Sequence, residues 1–375
     1  MIYLDHHAAC PTSEQARDAM EAAREDAWGN PASVHAAGRR AHALVDAARR
    51  AVAAAIGAEP ADIVLTSGGT EACNLGVLGA ARPRAHIVTT TVEHPAVAEA
   101  IARAEARGST VTRLGVARGA PPEPDAVARA ITGDTSLVAI QWVNHETGTL
   151  LPIAEYGAVC RARGVTLFVD GTQAFGKVPI DVSSAGADLV ALASHKMGGP
   201  SGAGGLWARR GVDVAPVLAG GAQERGRRPG SPDVLALVGF GAAARGVGGR
   251  LASMTGVSRR RDRLEAGLVH AGGVVNGEAG PRVATVTNVS FAGRRGDTLV
   301  AALDLEGVCV SSGAACSSGL AEPSRVLAAM YAERDAWRAA AALRASLGPE
   351  TTDDDVDGAL EALARVLARC AGRKS

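Results

Sequence analysis

The feature that most constrains the fold is an alternation, from about residue 60 to residue 210, of short apolar runs with alanine-rich helical patterns. This alternation is typical of units in which helices connect the strands of a parallel sheet. Several of the runs are apolar on both faces, as expected for strands covered by helices on both sides. The fold is therefore predicted to be α/β. Strands are predicted at residues 62–66, 86–90, 110–114, 137–143, 166–170 and 188–194.

The rest of the chain predicts further helices and a second domain. A chain of 375 residues, 47% of them apolar, exceeds the size at which a single hydrophobic core usually stops growing. We expect a large α/β domain at residues 13–250 and a smaller α+β domain made of residues 1–12 and 251–375. Helices are predicted at 13–27 and 33–56, with Ser13 and Ser33 suited to cap them, and at 232–270, 298–305, 324–331 and near the C-terminus. Strands are predicted at 284–291 and 308–310, and loops at 220–230 and 311–323.

Composition excludes several classes of function. The 39 basic residues balance the 39 acidic ones, so no overall field attracts nucleic acid or an anionic membrane. No apolar run reaches the length of a membrane span, and the N-terminus lacks the pattern of a secretory signal. Six scattered cysteines lack the density of a disulfide scaffold. A cytoplasmic protein with a small-molecule site is expected.

Lysine is scarce in this chain. Only Lys177, Lys196 and Lys374 occur, so arginine supplies the other basic residues. Arginine cannot replace lysine where an amine must lose its proton to act as a nucleophile. Lys374 lies in the tail, and Lys177 is predicted to be a solvated loop residue. Lys196 remains as the candidate for amine chemistry.

Lys196 directly follows the predicted strand 188–194, and Asp170 ends the strand before it. In α/β sheets, ligands bind at the carboxyl edge of the strands, where both side chains are expected to lie. A lysine in a partly dry crevice favours carbonyl chemistry, and an acid there could hold a pyridine nitrogen protonated. A surface lysine and a turn-capping aspartate are the alternative for each residue taken alone. The pair favours a pyridoxal-phosphate site.

A candidate phosphate site follows the first predicted strand of the sheet. The sequence from Thr66 to Glu71, TSGGTE, passes from that strand through two glycines into a helix. Glycines let backbone N–H groups approach an anion, and a helix N-terminus adds partial positive charge. Gly69 and Thr70 are therefore candidate phosphate ligands, with an ordinary turn as the alternative. A second glycine pattern, GFGAAA at 239–244, lacks a preceding strand, so its glycines are predicted to pack helices.

Two further strand ends carry polar side chains. His94 follows the strand at 86–90, where it could stack on a flat cofactor or move protons, or simply cap a helix. Asn144 and Glu146 follow the strand at 137–143 and offer an amide and an acid to the same crevice, or form a simple turn.

The second domain supplies two more candidates. Cys316 lies in a run of serine, glycine and alanine, which predicts an exposed loop suited to a nucleophilic thiol, whereas Cys309 is predicted to lie in the core. Arg344 could anchor a substrate carboxylate through its guanidinium or form a structural ion pair. The group Asp5, His6, His7 and Cys10 matches no familiar metal pattern, so no metal is expected.

Taken in order, these motifs resemble the cysteine desulfurases, which are fold-type I, class V aminotransferase-like enzymes that use pyridoxal 5'-phosphate. The resemblance runs nearly end to end. It rests on YLD at 3–5, GNPAS at 29–33, TSGGTE at 66–71, DGTQ at 170–173, SHK at 194–196, SSGAAC at 311–316 and RASLG at 344–348. It implies a large domain with a mostly parallel seven-stranded sheet covered by helices, plus a smaller α+β C-terminal domain.

The resemblance also implies a role for each site residue. Lys196 would carry the cofactor as a Schiff base and later move the α-proton of L-cysteine, and Cys316 would take the sulfur as a persulfide for an acceptor protein. Asp170 would pair with the pyridine nitrogen, His94 would stack on the ring, and Asn144 and Gln173 would contact the ring hydroxyl. The phosphate ligands would be Gly69, Thr70, Ser194 and His195, with Ser231 from the partner subunit of a homodimer. Asn30, Asn144 and Arg344 would bind the substrate.

Alternatives to a desulfurase remain open from the sequence. A selenocysteine lyase or another class V pyridoxal-phosphate enzyme would leave Cys316 without a catalytic role. A catalytically silent scaffold is disfavoured because Lys196, Asp170 and Cys316 occur together. The chain departs from the family pattern at residues 6–10, where HHAAC stands, and at Pro229.

Overall fold

The computed structural model describes residues 1–313 and 322–371. Its strands are β1 (Ile2–Tyr3), β2 (Ile63–Thr66), β3 (His86–Thr90), β4 (Thr110–Leu114), β5 (Thr135–Gln141), β6 (Thr166–Asp170), β7 (Leu189–Ala193), β8 (Gly204–Ala208), β9 (Gly273–Val275), β10 (Val286–Phe291), β11 (Val308–Cys309) and β12 (Ala342–Ser346). Its α-helices are α1 (Glu14–Ala23), α2 (Ala36–Ala54), α3 (Gly69–Ala80), α4 (Pro95–Glu105), α5 (Pro124–Ala130), α6 (Ile153–Arg163), α7 (Val234–Arg245), α8 (Val247–Ala252), α9 (Met254–His270), α10 (Gly296–Asp304), α11 (Arg325–Met330) and α12 (Asp353–Ala371).

A seven-stranded sheet organises the first two thirds of the chain, in the order β2-β8-β7-β6-β5-β3-β4. The five strands from β7 to β4 are parallel, and β8 runs antiparallel between β2 and β7. The predicted α/β class and mostly parallel sheet are confirmed. Five consecutive strand ends therefore meet at one edge of the sheet.

Helices cover both faces of this sheet because its strands are apolar on both sides. In β5, Val138 and Ile140 pack into one core, whereas Leu137 and Ala139 pack into the core on the opposite face. This alternation follows from the two-residue period of a strand. The continuous apolar runs of the sequence are explained by burial of both faces.

Strand β8 was not predicted from the sequence, because two glycines weaken its strand signal. Gly204 is required there by a close backbone approach: a Cβ at this position would lie 2.5 Å from the carbonyl carbon of Gly68. Gly204 therefore weakens the strand signal in the sequence, but it also lets β8 lie against the turn before α3.

Residues 1–10 and the C-terminal third build a second core. It contains a three-stranded antiparallel sheet, β12-β10-β9, and the parallel pair β1 and β11. Leu4 packs there with residues of α9, α10 and α12. The strands β1, β9 and β12 were not predicted. The domain boundary near residue 250 stays a prediction.

Helix boundaries test the capping predictions. Ser13 caps α1 as predicted, because its side chain accepts a hydrogen bond from the Ala16 N–H. The predicted cap Ser33 was wrong, since His35 caps α2 by accepting from the Gly38 N–H. The helical region 232–270 divides into α7, α8 and α9.

The glycines of the 239–244 pattern pack helices, as predicted. A Cβ at Gly241 would lie 2.6 Å from the Cα of Ala48 on α2, and a Cβ at Gly239 would lie 2.7 Å from the sulfur of Met20 on α1. Close packing of α7 on α1 and α2 therefore explains both residues. In the described part of the chain, no helix is long and apolar enough to cross a membrane.

Candidate active site

A cavity of about 490 Å³ lies at the carboxyl edge of the large sheet. Four adjacent parallel strands, β3, β5, β6 and β7, each deliver side chains to its wall from the residues that follow the strand. The wall includes His7, Glu93, His94, His145, Glu146, Gln173, Lys196, Gly313, Glu322 and Arg344. The sheet edge therefore converges polar groups as the sequence predicted.

Lys196 lies one short helical turn beyond β7. Its amine donates hydrogen bonds to the carbonyl oxygens of His7 at 2.7 Å and Ala8 at 2.8 Å. Both carbonyls belong to the N-terminal segment, which also supplies β1 to the second core. The amine thus lies where the two parts of the chain meet.

Asp170 is the last residue of β6 and is buried. One carboxylate oxygen accepts hydrogen bonds from the N–H and the hydroxyl of Thr172, at 2.9 and 2.6 Å. Asp170 therefore does cap the following turn, while its charge acts on the cavity: it opposes the lowering of the His94 pKa and raises that of Glu93. Capping and a site role are compatible here.

His94 caps α4, and its ring also forms part of the cavity wall. Its Nδ1 accepts a hydrogen bond of 3.0 Å from the Ala96 N–H, and its ring meets that of His145 edge to face at 4.9 Å. Burial lowers the pKa of His94, and Lys196 and Arg344 add to this effect while Asp170 opposes it. A neutral imidazole at pH 7 can stack on the face of a flat ring without charge repulsion.

Two of the residues predicted to hold phosphate, Gly69 and Ser194, form a candidate phosphate cradle, because Gly69 packs against Ala193, the residue before Ser194. Helix α3 begins at Gly69, where a Cβ would lie 2.8 Å from a methyl carbon of Thr172 and 3.0 Å from Ala193. The hydroxyl of Ser194 is buried and has no hydrogen-bond partner among the described residues. Such groups are normally satisfied, so this hydroxyl fits a site for an anion at the N-terminus of α3.

His195 and Thr70, which were also predicted to hold phosphate, differ in their surroundings. Burial, together with the positive charge of Lys196 and Lys177, lowers the pKa of His195 to about 4, so this histidine is neutral at pH 7. Thr70 is exposed and lines a separate cavity of about 340 Å³ beside Arg228.

Of the predicted site residues in the described part of the chain, His94, Gln173, Lys196 and Arg344 line the cavity, whereas Asn30, Gly69, Thr70, Asn144, Asp170, Ser194, His195 and Ser231 do not. Asn30 and Ser231 line another surface cavity, of about 300 Å³. Asn144 is fully buried: its oxygen accepts from the N–H groups of Glu146 and Thr147, and its amide donates to the carbonyl of Val92 at 3.2 Å. A contact between Asn144 and a ligand would require this turn to change.

Arg344 lies in the middle of β12 and is buried at the cavity wall. Its guanidinium donates to Asp5 at 2.7 Å and to the carbonyl of His145 at 3.0 Å. The sequence offered two alternatives for Arg344, a structural ion pair or a place in the site. Arg344 forms an ion pair with Asp5 and also lines the cavity. A buried cation on the wall is suited to an anionic substrate group.

Comparison with known proteins identifies the family. The family model described as Aminotransferase class-V matches residues 2–358. The chain belongs to this family.

Relatives in the family narrow the assignment. An IscS-like cysteine desulfurase of Mycobacterium tuberculosis is 40% identical over 98% of this chain and 97% of its own length. A cysteine desulfurase of Trichormus azollae is 38% identical over 98% of this chain and 93% of its own length. The chain is therefore a member of the cysteine desulfurase family, as the motifs indicated.

Solved structures agree with the fold. A NifS-like protein superposes with a TM-score of 0.90 at 28% identity, covering 98% of this chain and 99% of its own. SspA in complex with cysteine gives a TM-score of 0.79 at 27% identity, covering 94% and 100% of the two chains. DndA from Streptomyces lividans gives 0.78 at 33% identity, covering 91% and 98%.

The two cysteines considered in the sequence analysis, Cys316 and Cys309, differ in how the structure describes them. Cys316 lies outside the described residues, and Gly313 and Glu322, on either side of that segment, line the cavity. Cys309, predicted to lie in the core, is only half-buried in β11.

The interpretation of Lys177 as solvated is wrong. Its side chain is 3% exposed and donates a hydrogen bond to the side-chain oxygen of Gln173. The scarcity of lysine could have indicated a role for Lys177, because it applied to Lys177 as much as to Lys196.

Two groups of the wall, Glu93 and His7, had no assigned role in the sequence, and both are buried. Glu146, also buried, was expected only to offer an acid to the crevice. Burial raises the pKa of Glu93 to about 8, with Asp170 adding to it and the Thr90 hydroxyl opposing it. Burial also lowers the pKa of His7 well below its usual value. Tertiary burial, which single residues do not reveal, sets these properties.

Proposed function

We propose that this chain is a pyridoxal-phosphate-dependent cysteine desulfurase, which converts L-cysteine to L-alanine and passes the sulfur through a persulfide on Cys316. The observation that carries the proposal is the pair formed by Lys196, just beyond β7, and Asp170, at the end of the neighbouring β6. Membership of the family and the SspA complex with cysteine add support.

The residues around the cavity fit pyridoxal 5'-phosphate. Lys196 would hold it through its amine, Asp170 would face the pyridine nitrogen, and His94 would lie on the ring. The Ser194 hydroxyl, which has no partner among the described residues, and the start of α3 at Gly69 would provide a cradle for the phosphate. When bound, this cofactor supplies an electron sink that stabilises negative charge at the substrate Cα.

The remaining phosphate and ring ligands carry over from the resemblance. Thr70 and His195 would contact the phosphate, and Gln173, on the cavity wall, would donate to the ring hydroxyl. Ser231 would reach the phosphate from the partner subunit of a homodimer, which agrees with its position away from this chain's own cavity.

Binding and proton transfer fall to this chain's own side chains. Arg344 would hold the substrate carboxylate, with Asn30 assisting, because a guanidinium presents paired N–H donors. Lys196, once released from the cofactor, would take the α-proton, for which its position at the sheet edge is suited.

Sulfur transfer would use Cys316 as nucleophile. Its thiolate would attack the substrate sulfur, so that an S–S bond forms while the C–S bond breaks. The electron pair of the C–S bond remains on carbon, which takes a proton. L-Cysteine and the enzyme thiol thus become L-alanine and an enzyme persulfide, which a cytoplasmic acceptor protein would consume.

One experiment tests this function. Purified protein with pyridoxal phosphate, L-cysteine and a reducing thiol is assayed for alanine and sulfide, with Cys316→Ser and with Cys309→Ser as the matched control. We expect Cys316→Ser to lose sulfide release and Cys309→Ser to keep it. Sulfide release by Cys316→Ser at the wild-type rate would refute the persulfide step. Alanine formed only from selenocysteine would instead identify a selenocysteine lyase.

A further inference from the structure

Lys177 is a buried lysine that the proposed reaction does not use. It lies in the turn after β6, where its N–H donates to the carbonyl of Ala174 at 2.9 Å. Its side chain is 3% exposed, and its amine donates to the Oε1 atom of Gln173. In a chain with only three lysines, two therefore lie buried or half-buried beside one cavity.

Gln173 connects this second amine to Lys196. The Nε2 atom of Gln173 donates to the carbonyl oxygen of His7 at 2.8 Å, and the amine of Lys196 donates to the same oxygen at 2.7 Å. Gln173 also lines the cavity. A side-chain network thus runs from Lys177 through Gln173 to the backbone that holds Lys196.

The charge on Lys177 and the His7 carbonyl favour the same orientation of the Gln173 amide. An ammonium group has three donors and no acceptor, so it can bond only to the oxygen of the amide. The Nε2 group then carries one N–H to His7 and has a second N–H for an acceptor in the cavity. A neutral amine has a lone pair and can also accept from the flipped amide. The His7 carbonyl, which accepts from Nε2, is then the remaining contact that opposes the flip, and the flipped amide would present oxygen to the cavity.

The surroundings of Lys177 make this charge sensitive to pH. Burial lowers its pKa to about 7, and the cations Lys196, Arg250 and Arg344 act in the same direction, while the Cys10 thiol opposes them. Arg250 itself donates to the Cys10 sulfur at 3.4 Å. Three imidazoles also feel the charge of Lys177, and all three have pKa values lowered chiefly by burial: His6, His7 and His195.

We propose that Lys177 is a positioning residue, whose charged amine holds the Gln173 amide in the orientation that donates a hydrogen bond into the cavity. Toward a bound pyridoxal phosphate, this orientation supplies a donor to the ring oxygen. That part rests on the proposed function, whereas the link between Lys177 and Gln173 does not.

The first test reads the Gln173 amide without cofactor. The chain contains only four glutamines, so selective 15N labelling gives few side-chain amide signals, and Gln173→Ala identifies the one of interest by its loss. In the apoprotein, we expect this signal to shift with a midpoint near pH 7, the pKa of Lys177. In Lys177→Met, which keeps the length but not the charge, the transition should disappear.

The second test is a double-mutant cycle on cofactor affinity. We expect Lys177→Met to raise the dissociation constant of pyridoxal phosphate about tenfold at pH 6, as for loss of a hydrogen bond supported by a charge. The ratio to wild type should shrink above pH 8, where wild type has itself lost the charge. In a Gln173→Ala background, Lys177→Met should have no further effect.

Controls separate this role from general damage. Arg24→Met removes an exposed cation and should leave the affinity unchanged, and Lys177→Gln provides a second uncharged variant if Lys177→Met melts at a lower temperature. An amide signal that does not titrate in wild type, or an equal loss of affinity with and without Gln173, would overturn the proposal. If wild type binds no pyridoxal phosphate, the proposed function fails, and the amide titration alone decides the role of Lys177.

Discussion

The hydroxyl of Ser324 donates a hydrogen bond of 2.6 Å to the carboxylate of Glu146. The same hydroxyl caps α11 by accepting from the Leu327 N–H at 3.0 Å. Burial raises the pKa of Glu146 to about 6, while Ser324 and Arg344 oppose this rise. One serine therefore ties the start of α11 to the turn that follows β5.

We predict that Ser324→Ala lowers the free energy of unfolding by about 2 kcal/mol at pH 7, because a helix cap is lost and a buried carboxylate loses a donor. Urea unfolding measures the difference. Ser324→Thr keeps the hydroxyl and should cost much less. In a Glu146→Gln background the penalty should be smaller, and an equal penalty there would contradict the role assigned to this pair.

Glu93→Gln should change the pH dependence of stability. In the folded protein the pKa of Glu93 is about 8, above its usual value of 4.5, so the folded state binds the proton more tightly. This stabilisation is complete below pH 4.5 and is lost as the pH rises through 8. A neutral glutamine avoids the free-energy cost of ionising this buried carboxyl at high pH, which is on the order of several kcal/mol. The melting temperature of the variant relative to wild type should rise between pH 5 and pH 9, and a constant difference would contradict the prediction.

Ser194→Ala should separate cofactor binding from folding. Because the Ser194 hydroxyl is buried and unsatisfied within the described residues, its removal should raise the stability of the apoprotein by about 1 kcal/mol. The same change should weaken pyridoxal-phosphate binding about tenfold. Urea unfolding and absorbance titration measure the two effects. Thr89→Val removes another buried hydroxyl that has no partner among those residues and should leave the affinity unchanged.

Arg344→Lys should raise the KM for L-cysteine about tenfold with a smaller change in kcat, because lysine cannot offer the paired donors of a guanidinium. Steady-state kinetics measures both constants. Asp5→Asn loosens the ion pair but leaves Arg344 in place, so its KM should change less than about threefold. Equal effects of the two variants on KM would mean that Arg344 acts only through Asp5.

The position of Lys196 and Asp170 could be predicted from the sequence, because each follows a continuous apolar strand and parallel strands share one edge. Gly69 and His94 could be predicted in the same way, because each follows another strand of the same sheet. The order and spacing of the motifs were also sufficient to indicate the family. These conclusions depend only on which residues occur and how they are spaced along the chain.

Lys177 and Asn144 could not be assigned in that way. Both follow strands, yet Lys177 is buried beside the cavity and Asn144 is turned into the protein, where its amide builds a turn. Strand β8 was missed because Gly204 faces the backbone of Gly68, a contact between residues far apart in sequence.

The amino-acid sequence was sufficient to predict the α/β class, the edge of the sheet where the site lies and the family, since strand and helix periodicity and short motifs are local. Tertiary structure decided which side chains reach the cavity and in which protonation state. Burial and the field of neighbouring charges set the pKa values of Lys177, Glu93 and Glu146, and both depend on residues brought together only by folding.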